Sequence, residues 1–413
     1  MPPPPELMEE LVEEVLLRVP PDDPALLLRA ALTCKRWCRL ISDPRFRRRF
    51  RRFHRVPPVL GVINNDGDVS CFVPTSSFRP PYASARRNCH AIDARHGRVL
   101  LNDWDRKDLI MMNPITGEER RLPMPLLRHK YNCWSWNAVL LYAVAGCDHL
   151  DCAWGPFRVV FVATDQSEDF TSASIYSSDS GTWIEISSVE HPDEYYVRGP
   201  SALVENALYF VFVGGKRILK VNLGKQELTL ISLPSVCEHK FVALMTLEHG
   251  GLGFAYSHEF KLYMWSREAD LNRWVQYRVI DLGSLLPVHA CSTSPDVISF
   301  ADGASCMILS IGSTIYIFGT ETGCFKCSTK LRSRLQLGAM RVLWYHMSMI
   351  VLLLPVFQRL EWSGAFGLVE AVAEKNWNLR WGKPPPEFLI GNIIGTINAL
   401  VNIVEKLQRL GQH

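Results

Sequence analysis

Residue types able to do chemistry are thinly scattered along this chain. Cys324-Phe325-Lys326-Cys327 is a lone C-x-x-C with no second pair at zinc-ligand spacing. It follows a Thr-Gly turn in a strand-like run, so neither zinc nor redox chemistry is expected there. Cys147, His149, Asp151 and Cys152 crowd one turn, with Cys133 upstream. With Asp148 and Leu150 among them they match no recognised metal spacing, and they read as loop-surface residues. Gly250-Gly251-Leu252-Gly253 lacks the lysine and the following helix that a phosphate cradle needs, so it reads as a β-turn. There is no G-x-S-x-G elbow, no P-loop and no G-x-G-x-x-G. The expectation is a protein without catalytic residues, metal or other cofactor, one that works by binding.

The elements that would do the binding are set by length and composition. The 413 residues suffice for two or three domains, and 47% hydrophobic with 21% charged residues is the balance of a folded chain. A net charge of +3 argues against a nucleic-acid field over the whole protein. The twelve tryptophans are a high share, of a kind met in repeated β architectures. The opening Met1-Pro2-Pro3-Pro4-Pro5-Glu6 has no basic region and no apolar core, so no secretory leader is expected, and the twelve cysteines are expected to be free thiols. The runs Val342 to Phe357 and Phe388 to Val404 are too short and too polar for membrane spans.

Helix punctuation is densest in the first 55 residues. Leu7, Leu11 and Val15 fall four apart with Val12 and Leu16 beside them, which predicts a helix from Glu6 to Arg18 with one apolar stripe. Glu9, Glu10, Glu13 and Glu14 take its other faces, and Pro20-Pro21 ends it. Asp23-Pro24 and Asp43-Pro44 are cap-plus-proline starts for a second and a third helix. Leu28, Ala31 and Leu32, then Cys34, Trp37, Cys38 and Ile41, line the second, and Phe46, Phe50 and Phe53 the third. So small a unit buries too little surface to satisfy every apolar position, and part of the stripe must face the rest of the chain or another protein. The seven arginines from Arg45 to Arg55 are interleaved with phenylalanines at helical spacing, which favours a solvated helix face over a phosphate-binding one.

Residues 7–44 resemble an F-box. The matching positions are Leu7, Leu11, Glu14, Val15, Leu16, Leu17, Pro20, Leu28, Cys34, Lys35, Trp37, Leu40 and Ile41, with Met8 standing where the family has proline. The wording Val19-Pro20-Pro21-Asp22-Asp23-Pro24 is similar to that of grass F-box proteins. The resemblance implies binding to a Skp-family adaptor and, through it, to a cullin in a multi-subunit ubiquitin ligase, in nucleus or cytoplasm. The implied adaptor face is Leu7, Leu11, Val15, Leu16, Leu28, Trp37 and Ile41. For Leu28 and Trp37, internal core is an equal alternative.

From residue 56 the pattern changes to short β-rich runs. Arg98 to Leu101, Leu109 to Met112, Asn113-Pro114-Ile115-Thr116-Gly117 and Arg121-Leu122-Pro123 form one unit of strand, turn, strand, turn, strand. Ala207 to Phe212, Ile218 to Val221, Asn222-Leu223-Gly224 and Ile231 to Pro234 form another, and Ser313 to Phe318 opens a third. Five or six such units at propeller-blade spacing predict sheets that cover one another around an axis. The wording Asn113 to Glu118 with Leu122-Pro123 is similar to the kelch-like associated domains of plant F-box proteins.

The expected fold is therefore α+β. A three-helix module spans residues 1–55, an all-β propeller-like domain 56–360, and a tail 361–413 ends in an amphipathic helix from Glu387 to Leu410. The expected function is target recognition for a Skp–cullin–F-box ligase, with a stand-alone propeller binding module as the alternative. Candidate target contacts are Trp134, Trp136, Tyr195, Tyr196 and Arg198, chosen as hot-spot residue types, with blade packing as the plainer reading of the two tryptophans. The target protein itself is not legible, and neither membrane nor nucleic acid is expected as a partner.

Overall fold

A computed structural model describes residues 8–344 except 22, 55–58, 76–85, 96, 115–116, 126–135, 143–155, 166–168, 191–196, 215, 239, 248, 269–271, 287–293, 302–305, 313, 321–324 and 331–339. The expected tail, 361–413, lies outside these residues. Four helices open the chain: α1 (Glu9–Leu17), α2 (Pro24–Thr33), α3 (Lys35–Ser42) and α4 (Pro44–His54). The second expected helix is thus two. Cys34 is fully extended, and its Sγ accepts from the Trp37 backbone N–H, so it ends α2 and caps α3. Asp43-Pro44 starts α4 as expected, with Asp43 Oδ1 accepting from Arg45 N at 2.7 Å. Val12, Leu16, Leu17, Leu27, Ile41, Phe46 and Phe50 form the module core, which also takes in Leu60 of the first strand.

The described strands form six four-stranded antiparallel sheets. Blade 1 holds β1 (Val59–Asp66), β2 (Val69–Pro74) and β3 (Arg86–Arg87), and borrows its inner strand, β24 (Met340–Trp344), from far along the chain. Blade 2 holds β4 (Cys89–Arg95), β5 (Arg98–Asp103), β6 (Asp108–Met112) and β7 (Glu119–Pro123). Blade 3 holds β8 (Trp136–Tyr142), β9 (Phe157–Asp165), β10 (Phe170–Ser177) and β11 (Thr182–Glu190). Blade 4 holds β12 (Val197–Val204), β13 (Ala207–Phe212), β14 (Arg217–Asn222) and β15 (Glu227–Ser232). Blade 5 holds β16 (Ala243–Thr246), β17 (Leu252–His258), β18 (Lys261–Glu268) and β19 (Arg273–Asp281). Blade 6 holds β20 (Asp296–Ala301), β21 (Cys306–Ile311), β22 (Thr314–Gly319) and β23 (Phe325–Lys330). The inner strands β24, β4, β8, β12, β16 and β20 touch in turn and close a ring.

Packing explains why these sequences stack. The propeller cores are not inside blades but between them. Leu100, Leu109 and Met111 of blade 2 meet Leu140, Val159 and Phe161 of blade 3. Comparable clusters join every other adjacent pair, including blade 6 to blade 1 through Ile308, Ile315, Val62 and Val73. A second strand such as β13 is therefore buried at every residue, since neighbours cover both of its faces. The expected turns hold: Gly117, at φ 71°, donates its N–H to Asn113 O at 2.8 Å, and Asn222 Oδ1 accepts from Gly224 N and Lys225 N.

The tryptophans have a repeated task. Trp183, second in β11, donates Nε1–H to Pro123 O at 2.8 Å, and Trp274, second in β19, donates to Ser232 O at 2.9 Å. Each therefore ties its blade to the end of the preceding outer strand. Each also meets a phenylalanine of its own blade's second strand edge-on, Phe161 and Phe254 respectively. At the axis, Arg95 Nη2 donates to Ser201 O at 2.5 Å and to Ser201 Oγ at 2.9 Å, while Asp93 Oδ2 accepts from Leu140 N. That buried network links the inner strands of blades 2, 3 and 4.

Candidate docking site

The stripe on α1 divides into two edges. Val12, Leu16 and Leu17 point into the module core, while Met8, Leu11 and Val15 stay 64%, 48% and 57% exposed. These last three stand at i, i+3 and i+7, so they form one continuous ridge on the outer side of the helix. Apolar burial at about 25 cal/mol per Å² makes covering each half-exposed side chain worth roughly 1 kcal/mol. The polar flank is fixed as well. Glu13 and Glu14 meet Arg49 of α4 at 2.6 and 3.0 Å, and Glu14 also accepts from Arg18 at 2.7 Å. The Arg18 bond holds the Glu14 carboxyl below its ordinary value. Arg18 in turn lies over the Phe53 ring, 5.9 Å from its centroid.

The structure distributes the expected adaptor residues unevenly. Leu11 and Val15 are on the ridge. Leu16 and Ile41 are in the core, Ile41 with no exposure, and Trp37 is half buried against that core. Leu28 lies on α2 with its side chain outside the described set, and Leu7 precedes the described residues. Met8, noted in the sequence only as a replacement for proline, completes the ridge. Its signal was its spacing from Leu11 and Val15.

The helices join the propeller at the end of the blades where β1 starts and β2 finishes, since Leu60 and Phe72 pack against the module core. The opposite face carries the turn after β1, the turn after β5 and the link from β3 to β4. One strand of eight residues separates the faces, roughly 25 Å. On this far face His90 Nε2 meets Gly67 O at 2.6 Å, and the His90 ring lies 4.2 Å from that of Trp104. Trp104 N donates to Asn88 O, and Asn88 Nδ2 donates to the Asp105 carboxylate. Asp103 Oδ1 accepts from the backbones of Asp105 and Arg106, and its other oxygen takes Arg121 at 2.9 Å. The Arg121 bond holds Asp103 below the usual carboxylate range. Trp104, 37% exposed, is thereby held from behind with part of its ring in solvent.

Of the expected target contacts, Trp136 opens β8 at the same end of the blades as this face. Its ring stacks on Phe161 at 4.9 Å between blades 2 and 3. Arg198 is in β12, its side chain outside the described set, and Trp134, Tyr195 and Tyr196 fall outside the described residues. Trp104 was missed because nothing in Asn102-Asp103-Trp104-Asp105 distinguishes a presented ring from a packed one. The Cys147 to Cys152 crowd and Cys324 are also outside. No group of three or more His, Cys, Asp or Glu side chains is placed to hold a metal among the described residues. No described helix is long and apolar enough to cross a membrane.

Comparison with known proteins gives one family. Residues 5–49 match the F-box domain, which covers α1 to α3 and the start of α4. No curated protein matches the chain. Among solved structures, one titled as a nidogen/laminin complex aligns over 68% of this chain and 97% of its own at 10% identity and a TM-score of 0.39. A luciferin-regenerating enzyme aligns over 60% and 77% at 9% identity and a TM-score of 0.38.

Proposed function

We propose that this chain, an F-box domain carried on a six-bladed propeller, is the substrate-recognition subunit of a Skp–cullin–F-box ubiquitin ligase. The observation that carries the reading is the ridge of Met8, Leu11 and Val15, apolar side chains left in solvent by a fold that had the means to bury their neighbours. F-box domains bind Skp-type adaptors, and such a ridge is what an adaptor groove would cover. The propeller supplies the other end. Its far face stands about one strand length from the helices, so adaptor and target would not compete for space. Trp104, a rigid and partly exposed aromatic on that face, is of the type that anchors partners. No catalytic group is required of this subunit. Its contribution is proximity, holding a target lysine near a ubiquitin carrier recruited at the far end of the scaffold.

The test is adaptor capture by the full chain. Leu11→Asp and Val15→Asp each place a charge in the covered interface and are expected to reduce capture at least a hundredfold, with circular dichroism unchanged. Full capture by both variants would refute the assignment and leave a propeller binding module with a helical cap.

A further inference from the structure

Helices α3 and α4 carry a charge that the proposed ridge does not use. From Lys35 to Arg52 stand nine basic side chains and a single acid, Asp43, in a chain whose net charge is only +3. Arg45, Arg48 and Arg52 stand at i, i+3 and i+7, turned away from the buried Phe46 and Phe50. Lys35 and Arg39 stand at i and i+4 on α3, and these five side chains are exposed. Asp43 is occupied as the cap of α4. The carboxylates that meet Arg49 come from α1, within the module itself. Like charges one helical turn apart cost a few tenths of a kcal/mol per pair, so the spacing of Lys35 and Arg39 does not itself stabilise α3. All but one of the nine are arginine, whose planar fork matches carboxylate and phosphate groups.

Two features favour a polypeptide over a nucleic acid. Phe46 and Phe50 are in the core, and the third ring, Phe53, is 52% exposed with Arg18 over it, so the stripe offers bases one stacking ring and not the row of them that single strands track. The apolar ridge belongs to the same four-helix unit, and a phosphate backbone has no apolar surface to lay on it. We propose that the basic face of Lys35, Arg39, Arg45 and Arg52 receives an acidic segment of the adaptor that covers the α1 ridge, and that it sets how fast the complex forms. This rests on the adaptor reading above. The ridge would fix the lifetime of the complex, and the basic face its capture rate and salt dependence.

The experiment compares the full chain with the K35Q/R39Q/R45Q/R52Q variant in association kinetics against a purified Skp-family adaptor. It is run at ~50 and ~500 mM salt, where screening lengths differ about threefold. The variant is expected to associate about tenfold more slowly at low salt. It should show a flattened salt dependence, a dissociation rate within about twofold of wild type, and unchanged circular dichroism. Wild-type association rates and salt slope in the variant would overturn the proposal. It would equally fall if the variant loses a 20-base-pair DNA duplex that wild type binds, while its adaptor kinetics stay normal, since the face would then serve nucleic acid. Failure of the underlying reading looks different: wild type itself would not bind the adaptor at either salt, and both proposals would fall together.

Discussion

The helical module and the propeller solve the same burial problem in opposite ways. Each blade is covered on both faces by its neighbours, and β24 brings the end of the ring back onto β1, so no blade face is left over. The module has no such closure. Its four helices share one core that leans on Leu60, and the outer edge of α1 remains uncovered. A closed ring of blade-to-blade interfaces presents its loops and rims, whereas an open bundle can present a helix face. On the proposed function, a groove-forming protein would therefore sit on the helices and a target on the propeller's loops.

Substitutions sharpen that contrast. Phe210→Ala, deep between blades 3 and 4, is expected to cost about 3–5 kcal/mol and to lower the thermal midpoint of the propeller. Ile41→Ala in the module core should cost about 2–5 kcal/mol. Calorimetry checks both. An Ile41→Ala variant as stable as wild type would mean that the module core contributes little. Trp274→Phe keeps the ring and removes only the N–H to Ser232 O, so about 1 kcal/mol is expected, readable as a shift in denaturation midpoint. A loss of several kcal/mol would show the blade contact to be doing more than that single bond.

A further effect is alkaline. Burial pushes the Cys306 thiol up to about 12 and that of Cys237 to about 11. Both therefore keep their protons in the folded chain at pH values where the unfolded chain releases them. Their contribution is fully present below the ordinary thiol value near 9 and is lost as pH rises through the folded values. Stability should fall between about pH 9 and 12, less steeply in Cys306→Ala. A flat profile would contradict the burial of these thiols. Native-state labelling should also spare Cys306 and Cys237 and reach the half-buried Cys34 sooner.

Much of this architecture was legible in the residues. Asp43-Pro44 marked a helix start, and Asn113 to Gly117 and Asn222 to Gly224 marked turns between strands. The blade number was not, because blade 1 is completed by residues 340–344, which no local pattern ties to Val59–Asp66. The break at Cys34 was hidden too, since the apolar spacing runs on across it while a thiol takes the cap. On α1 the sequence displayed a wide apolar face from Leu11 to Leu16. Periodicity cannot say which edge of such a face the other helices will cover, so Leu16 and Val15 read alike although one is core and the other solvent-facing.

The most direct test is amide hydrogen exchange on the full chain with and without a Skp-family adaptor. Residues 8–18 should slow by at least about tenfold on adaptor addition, while blade 4 from 197 to 232 exchanges as before. Unchanged exchange across 8–18, with the adaptor demonstrably bound, would contradict docking on the α1 ridge.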